Sequence, residues 1–270
     1  MDRRHPFQVD VVALSPQAVA VPLLQGVVGR AVQRGLVRLR VWQLREFSRD
    51  PHRKVDDVPF GGGPGMVLMP EPLVLAAEHA LGAQAAALGC GAGVAQGAGS
   101  RVRVVALAAS GYPFTQELAR ELACLEGLVV LCGRYEGMDA RVAAVLDALE
   151  VGVGEFVMST GELAACCLVD AVVRLLPGAV GEPASVVEES FGPPGSLTHG
   201  LLEYPQYTRP RVFRGLAVPD VLVGGDHHAV ARWRREQAWR LTRQRRPHLA
   251  ARRQQAAEPG GGCLPPPTGP

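Results

Sequence analysis

Apolar residues along this chain form short runs of two kinds, and each kind predicts a type of element. Continuous or alternating apolar runs predict strands at 9–14, 36–42, 102–107, 128–132 and 155–158. Helical spacing or composition predicts helices between them, at 15–34, 71–87, 115–125 and 162–176. Strands that alternate with helices indicate an α/β domain with a mainly parallel sheet.

The chain changes character after residue 178. Residues 178–198 are rich in proline and glycine, which predicts an interdomain linker. Residues 229–246 repeat apolar positions at helical spacing, with arginine on the other faces. The predicted parts are a domain at 1–178, a flexible linker at 179–198, a helical domain at 199–250 and a disordered tail at 251–270. A Gly/Ala stretch at 89–100 predicts a flexible surface insertion.

Composition and charge narrow the class of protein. With 270 residues, 47% of them hydrophobic, and a net charge of +2, the chain is expected to be mostly globular. Charge is concentrated locally, because seven arginines and one acid, Glu236, lie between Arg232 and Arg246. No apolar run is long enough to span a membrane, and the charged N-terminus predicts no signal peptide. The six cysteines form no Cys-x-x-Cys pair, which argues against a zinc knuckle, and several lie in apolar runs, which fits a cytoplasmic protein.

The most unusual local sequence is Val55–Met66, which we call the glycine loop. It runs from the paired acids Asp56 and Asp57 into four glycines and a proline, which neither a helix nor a central strand tolerates. A surface turn with charged neighbours is one interpretation. A loop that lets backbone approach a ligand closely is favoured, because the glycines and the paired acids occur together.

Three other segments contain candidate binding or catalytic residues, whereas the standard catalytic and nucleotide-binding motifs are missing. No Walker A, H-E-x-x-H or G-x-S-x-G sequence occurs, and the scattered histidines favour no metal site. Residues 131–137 place a cation and a carboxylate at a strand end, where α/β sheets bind ligands, although a plain turn explains them equally well. Residues 153–163 either expose backbone to an adenine edge or form an ordinary strand-turn-helix. Arg174 and the acidic stretch Glu188-Glu189-Ser190 together would suit removal of a proton from a weakly acidic N–H and stabilisation of the resulting oxyanion.

These segments occur in the order that is typical of a known family. The matching motifs lie between about residues 8 and 249 and include the glycine loop, 132–137, 159–163, 174–178, 189–191, 200–210, 218–222, 225–227 and 233–234. On these motifs the chain resembles the bacterial tRNA (guanine-N1-)-methyltransferase family, often called TrmD. So many motifs in one order make the resemblance highly specific.

The resemblance implies a SPOUT-type α/β fold, in which a knotted parallel sheet with a deep trefoil knot is flanked by helices. A small α-helical C-terminal domain would follow it. The resemblance also implies an obligate homodimer with active sites built across its interface. The implied reaction transfers a methyl group from S-adenosylmethionine to N1 of guanosine 37 in tRNA, next to guanosine 36, which prevents frameshifting. Activity in the family depends on Mg²⁺.

The same resemblance implies roles for individual residues. Glu189 would be the general base, and Arg174 would stabilise the charge that develops on guanine O6. The substrate-binding residues would be Asp56, Glu136, Arg134 and Ser185. The cofactor-binding residues would be Leu107, Gly111, Gly133, Val153, Gly154, Phe156, Met158, Gly161 and Ala164. The basic helix that begins at Arg232 would bind tRNA phosphates.

The chain departs from the family pattern at several positions. The general base is Glu189 instead of the usual Asp, and the extra methylene displaces the carboxylate by about one C–C bond. The usual cofactor loop is replaced by Leu107-Ala-Ala-Ser-Gly111, and Val58 stands where an arginine is usual. Two alternatives therefore stay open: a SPOUT RNA methyltransferase with an altered target, and a tRNA-binding protein whose catalysis is weakened.

Overall fold

The computed structural model describes residues 4–89 and 101–255. Two compact units divide the chain, one formed by residues 1–181 and the other by residues 182–270. Most of the predicted Gly/Ala insertion lies outside the described residues.

The first unit is an α/β sandwich with one parallel sheet. Its strands are β1 (Phe7–Ala13), β2 (Val37–Gln43), β3 (Asp56–Asp57), β4 (Val67–Leu68), β5 (Val102–Pro113), β6 (Gly127–Cys132) and β7 (Leu149–Gly152). Its helices are α1 (Pro16–Leu23), α2 (Gly26–Gln33), α3 (Pro70–Ala87), α4 (Gln116–Cys124), α5 (Arg141–Val145) and α6 (Gly161–Val173). Five strands form the parallel sheet in the order β2-β1-β6-β5-β7, and β3 pairs with β4 in antiparallel fashion. The predicted parallel sheet flanked by helices is confirmed.

Successive residues of β1 face opposite sides of the sheet, and each side carries its own core. Val9 and Val11 pack in a cluster with side chains from α1, α2, α4 and α6. Val12 packs in a second cluster with side chains from α3 and α5. Helices therefore cover both faces of the sheet, as parallel sheets generally require.

A polar network is buried beneath α3. Asp10 of β1 is fully buried and accepts hydrogen bonds from Arg40 Nε and Nη2, each at 2.7 Å, and from Trp42 Nε1 at 2.6 Å. Gln84 of α3, also fully buried, donates to Asp10 Oδ2 at 2.7 Å and to the Leu128 carbonyl at 2.8 Å. These hydrogen bonds tie β1, β2, β6 and α3 together.

Two predicted elements of the first unit are wrong. The helix expected at 15–34 is interrupted, because the chain turns at Gly26, whose φ of 58° is not helical. The strand expected at 155–158 does not form, and the edge strand is instead β7, where Val151 pairs with Leu107. The sequence did not predict β3, β4 or α5, which are too short to show a periodic pattern.

The second unit contains a short hairpin and two helices. Its elements are β8 (Val212–Phe213), β9 (Leu216–Ala217), α7 (His227–Arg245) and α8 (Pro247–Gln255). Helix α7 matches the helix predicted at 229–246. Residues 251–255 belong to α8, so the disordered tail was predicted to begin too early, and 256–270 lie outside the described part. No helix in the described ranges is both long and apolar enough to cross a bilayer.

Most of the predicted linker makes hydrogen bonds within the second unit. Residues Pro183–Val186 form a 3₁₀ turn. The Phe191 N–H donates to the Leu201 carbonyl at 2.7 Å, and the Glu203 N–H donates to Ser190 Oγ at 3.0 Å. The segment that carries the predicted base is therefore joined to the rest of this unit.

Replacing Asp10 with Asn should lower the free energy of unfolding by about 3–5 kcal/mol, because Arg40 would stay largely buried without its carboxylate partner. The matched control is Glu71→Gln, which breaks an exposed ion pair with Arg49 and should cost less than about 1 kcal/mol. Urea unfolding measures both variants. Equal losses in the two would contradict this account of the network.

Candidate active site

The carboxyl ends of β5, β6 and β7 meet at one edge of the sheet. Leu107 of β5 pairs with Cys132 of β6 and with Val151 of β7. Tyr112 also pairs with Val151, so residues 108–111 loop out of the sheet between the two pairings. This extruded segment belongs to the predicted cofactor loop, and it lies where open α/β sheets bind ligands.

Three glycines let backbone segments touch at this edge. A Cβ on Gly133 would lie 2.6 Å from the Leu107 carbonyl oxygen, and one on Gly111 would lie 2.5 Å from the Val151 nitrogen. A Cβ on Gly161 would lie 2.6 Å from the nitrogen and 2.7 Å from the oxygen of Gly133. The Gly161 N–H donates to the Gly133 carbonyl at 2.8 Å. No side chain fits between these segments, so close approach is what requires glycine here.

The other predicted cofactor residues continue along the same edge. Val153, Gly154, Phe156 and Met158 lie in the segment between β7 and α6, and Ala164 lies in the first turn of α6. Val153 and Met158 pack partly against the core, whereas the Phe156 side chain is 58% exposed. The structure thus brings the whole predicted cofactor set to one edge of the first unit.

Glu162, to which the sequence analysis gave no role, anchors this edge. Its side chain is 1% exposed, and Oε1 accepts the Ser15 N–H at 3.0 Å while Oε2 accepts the Thr160 hydroxyl. Arg134 Nη2 lies 3.6 Å from Glu162 Oε1 and donates to Ser15 Oγ at 3.3 Å. The network holds the start of α6 against the β1–α1 turn and fixes Arg134, a predicted substrate-binding residue.

The cysteines beside this network are poor nucleophiles. Burial raises the pKa of the Cys132 thiol well above its usual range, and the nearby Glu162 carboxylate adds to the effect. Burial likewise raises the pKa of Cys166 to about 11, with contributions from Cys167 and Glu162. Both thiols stay protonated at neutral pH, which argues against covalent cysteine chemistry at this edge.

The glycine loop lies beside the segment that follows β6. The Glu136 N–H donates to the Met66 carbonyl at 3.0 Å, and the Leu68 N–H donates to the Gly137 carbonyl at 2.9 Å. A Cβ on Gly65 would lie 2.6 Å from Glu136 Cγ, so the Glu136 side chain covers this glycine. The structure therefore joins two segments that the sequence analysis had predicted to act on the same substrate.

The paired acids stand at the base of the glycine loop in β3. Asp56 is half-buried, whereas Asp57 is exposed and lies 3.0 Å from Lys54 Nζ. The hydrogen bond from Lys54, with a second from the Val58 N–H, lowers the pKa of Asp57. Positive φ angles recur in the loop, at Gly61, Gly62, Gly63 and Gly65. The loop thus needs glycine for its backbone conformation and carries an ionised acid at neutral pH.

The remaining predicted site residues are divided between the units. Arg174 is half-buried and follows the last residue of α6 as its C-cap in the first unit. Glu189 is half-buried and Ser185 is exposed, and both belong to the second unit. Their catalytic and substrate-binding roles stay predictions.

Helix α7 presents a basic face. Ala238 and Thr242 are its buried positions, and exposed arginines occupy other positions around the helix: Arg232, Arg235, Arg240, Arg243 and Arg245. A cluster of this kind suits electrostatic contact with phosphates. Within the described ranges, no group of three or more His, Cys, Asp or Glu residues is placed to hold a metal ion.

A parallel α/β unit with a glycine-lined carboxyl edge, followed in the chain by an arginine-rich helix, defines a class of ligand-binding α/β enzyme. Residues 7–252 match the family model described as tRNA (Guanine-1)-methyltransferase TrmD, and the chain belongs to this family.

Curated relatives align with most of this chain. A protein of Myxococcus xanthus (strain DK1622) named tRNA (guanine-N(1)-)-methyltransferase is 46% identical over 248 residues, 92% of each chain. Proteins with the same name from Anaeromyxobacter sp. (strain Fw109-5) and Caldanaerobacter subterraneus subsp. tengcongensis are 46% and 44% identical. They cover 91% and 89% of this chain, and 91% and 90% of their own lengths.

Replacing Gly161 with Ala should lower the free energy of unfolding by about 1–3 kcal/mol, because the new methyl group would overlap the Gly133 backbone. The control is Gly82→Ala in α3, where nothing lies within 4 Å of the new Cβ. That change should raise stability by about 0.5–1 kcal/mol through helix propensity. Denaturant titrations measure both variants. An unchanged free energy of unfolding in Gly161→Ala would contradict the close contact.

Proposed function

We propose that this protein transfers the methyl group of S-adenosylmethionine to N1 of guanosine 37 in tRNA, next to guanosine 36. The family match over residues 7–252 carries the reaction class. The glycine-lined edge of the first unit supports a cofactor site, and the basic face of α7 supports contact with RNA. Methylation at this position would prevent frameshifting.

The residues at the sheet edge fit S-adenosylmethionine, which supplies a methyl group carried on a cationic sulfur. Backbone at Leu107, Gly111 and Gly133 would form one side of the cradle. The segment from Val153 through Gly154, Phe156 and Met158, together with Gly161 and Ala164, would form the other. Since glycine leaves N–H and C=O groups uncovered, these walls can bind adenine edges and ribose hydroxyls through backbone hydrogen bonds. Exposed Phe156 adds apolar surface.

The reaction needs a base, because guanine N1 carries a proton at neutral pH and is not nucleophilic until the proton is removed. We assign this step to Glu189, whose carboxylate would accept the N1 proton. Negative charge then develops on guanine O6, and the Arg174 guanidinium would stabilise it. The proton would end on Glu189, and the new methyl–N1 bond would replace the methyl–sulfur bond, whose electron pair stays on the sulfur of the departing S-adenosylhomocysteine.

Guanine recognition is assigned to the substrate-side carboxylates. Glu136 and Asp56 can accept hydrogen bonds from guanine N–H donors, and the glycine loop beside Glu136 permits close approach. Arg134, held by Glu162 and Ser15, would position the Glu136 segment as well as contact substrate. Ser185 would supply a hydroxyl from the second unit.

The deep trefoil knot and the homodimer, with active sites built across its interface, are part of the same proposal. The strand order β2-β1-β6-β5-β7 and the backbone contact between Gly133 and Gly161 support the knot. Exposed apolar side chains on or next to α1 and α6 support a covered face in the first unit: Val21, Leu24, Phe156, Val157 and Leu163. We assign Mg²⁺ no ligand among the described residues and no step in the reaction. A cytoplasmic location stays a prediction.

Methyl transfer to matched tRNA transcripts separates this function from the two alternatives. Labelled S-adenosylmethionine should label a transcript with guanosine at position 37 and leave the adenosine variant unlabelled. Label on both transcripts would indicate an altered target. Label on neither, with tRNA still bound, would indicate a tRNA-binding protein.

Glu189→Gln should reduce turnover by about 100-fold or more, because the amide cannot accept the N1 proton. Its dissociation constant for tRNA should change less than twofold, since the two side chains have nearly the same shape. Glu189→Asp restores the usual family residue and should keep turnover within tenfold of the parent protein. Single-turnover methylation and filter binding measure both quantities. Unchanged turnover in Glu189→Gln would remove this residue from the mechanism.

A further inference from the structure

A cavity of about 360 Å³ opens within the second unit. It lies between the loop 204–211 and the N-terminal half of α7. Its volume falls in the range of about 300–1,000 Å³ that is common for small-molecule sites. The aromatic and cationic side chains in its lining are Tyr204, Tyr207, Arg209, Arg211, Trp233 and Arg234.

Aromatic rings form one part of the lining. The Tyr207 side chain is 48% exposed, and its ring centroid lies 6.3 Å from that of Trp233, with the planes tilted by 57°. Tyr204 is buried, and the Arg234 guanidinium lies 4.7 Å from its ring centroid. The pair formed by Tyr204 and Arg234 is therefore a fixed part of the wall, whereas Tyr207 keeps aromatic surface open to a ligand.

Cations form the other part. Arg209 is exposed and forms no ion pair with any residue in the described ranges. Arg211 is already paired with Asp220, at 2.9 Å. Arg234 lies 3.9 Å from Glu188 Oε2, and its buried Nε–H has no hydrogen-bond partner within the described residues. Among the described residues, the cavity thus combines a surface guanidinium that has no ion-pair partner with a wall donor that has no acceptor.

We propose that this cavity binds one unstacked nucleotide of the tRNA, with the base against Tyr207 and Trp233 and the phosphate at Arg209. Aromatic faces and guanidinium planes are the features with which proteins hold splayed single-stranded bases. The exposed arginines of α7 continue from the cavity and would track the neighbouring phosphates. The inference rests on the proposed function in one respect, namely that the RNA is tRNA.

The test measures tRNA affinity for Tyr207→Ala, Tyr207→Phe and Arg209→Gln in the full chain. Tyr207→Ala should weaken binding about tenfold or more through lost stacking, and Tyr207→Phe should retain affinity within twofold. Arg209→Gln should weaken binding and reduce the slope of log affinity against log salt by about one. The control is Phe213→Ala, which removes an aromatic ring that is also exposed but lies outside the cavity, and it should change affinity less than twofold.

A set of transcripts, each with one abasic nucleotide in the anticodon loop, identifies the bound base. At one position the losses from the abasic change and from Tyr207→Ala should be non-additive, because both remove the same contact. Additive losses at every position would overturn the proposal. So would a Tyr207→Ala variant that binds tRNA normally, or one that changes oligomeric state, since the cavity would then be a contact between copies.

Methyl transfer by the parent protein is measured with the same transcripts. If the parent protein methylates tRNA but no position shows coupling, this inference fails while the proposed function stands. If coupling occurs without methylation, the proposed function fails while the nucleotide site stands.

Discussion

The structure of the first unit depends on backbone-to-backbone contact between the end of β6 and the start of α6. Gly161 donates to Gly133 at 2.8 Å, and a single methyl group on either glycine would collide with backbone. The contact survives because Glu162, buried one residue later, accepts hydrogen bonds from Ser15 and Thr160 and lies beside Arg134. Steric fit and a buried carboxylate together form the edge at which the cofactor is proposed to bind.

The proposed cofactor site and the proposed guanine site share this edge. On one side, backbone from β5, β6 and the start of α6 meets through glycines at the edge where the cofactor is proposed to bind. On the other side, one backbone hydrogen bond from the glycine loop and one from β4 fasten this stretch to the residues around Glu136, which is proposed to bind a base with N–H donors. Arg134 lies beside Glu162 and two residues before Glu136, so the proposed cofactor and substrate sides of the edge share one buried anchor.

Sequence reasoning succeeded where local pattern decides the structure and failed where distant pairing does. β1 and α3 were predicted within one or two residues, because β1 is a short run of mainly apolar, β-branched residues and α3 has strongly helical composition. The strand expected at 155–158 was wrong, since Phe156 and Val157 are exposed and the edge pairing is made by β7. Glu162 could not be recognised, because Ser15, which fixes it, lies 147 residues away. The cofactor-binding residues were predicted from complete sequence motifs, and in the structure these motifs lie at one edge of the sheet.

Backbone amide hydrogen exchange with and without S-adenosylmethionine tests the central claim most directly. The account predicts added protection in three segments that are far apart in sequence: residues 107–111, 133–137 and 153–162. Protection in all three would show that the glycine-lined edge holds the cofactor. Unchanged exchange in these segments, with protection gained instead in residues 182–255, would contradict the account.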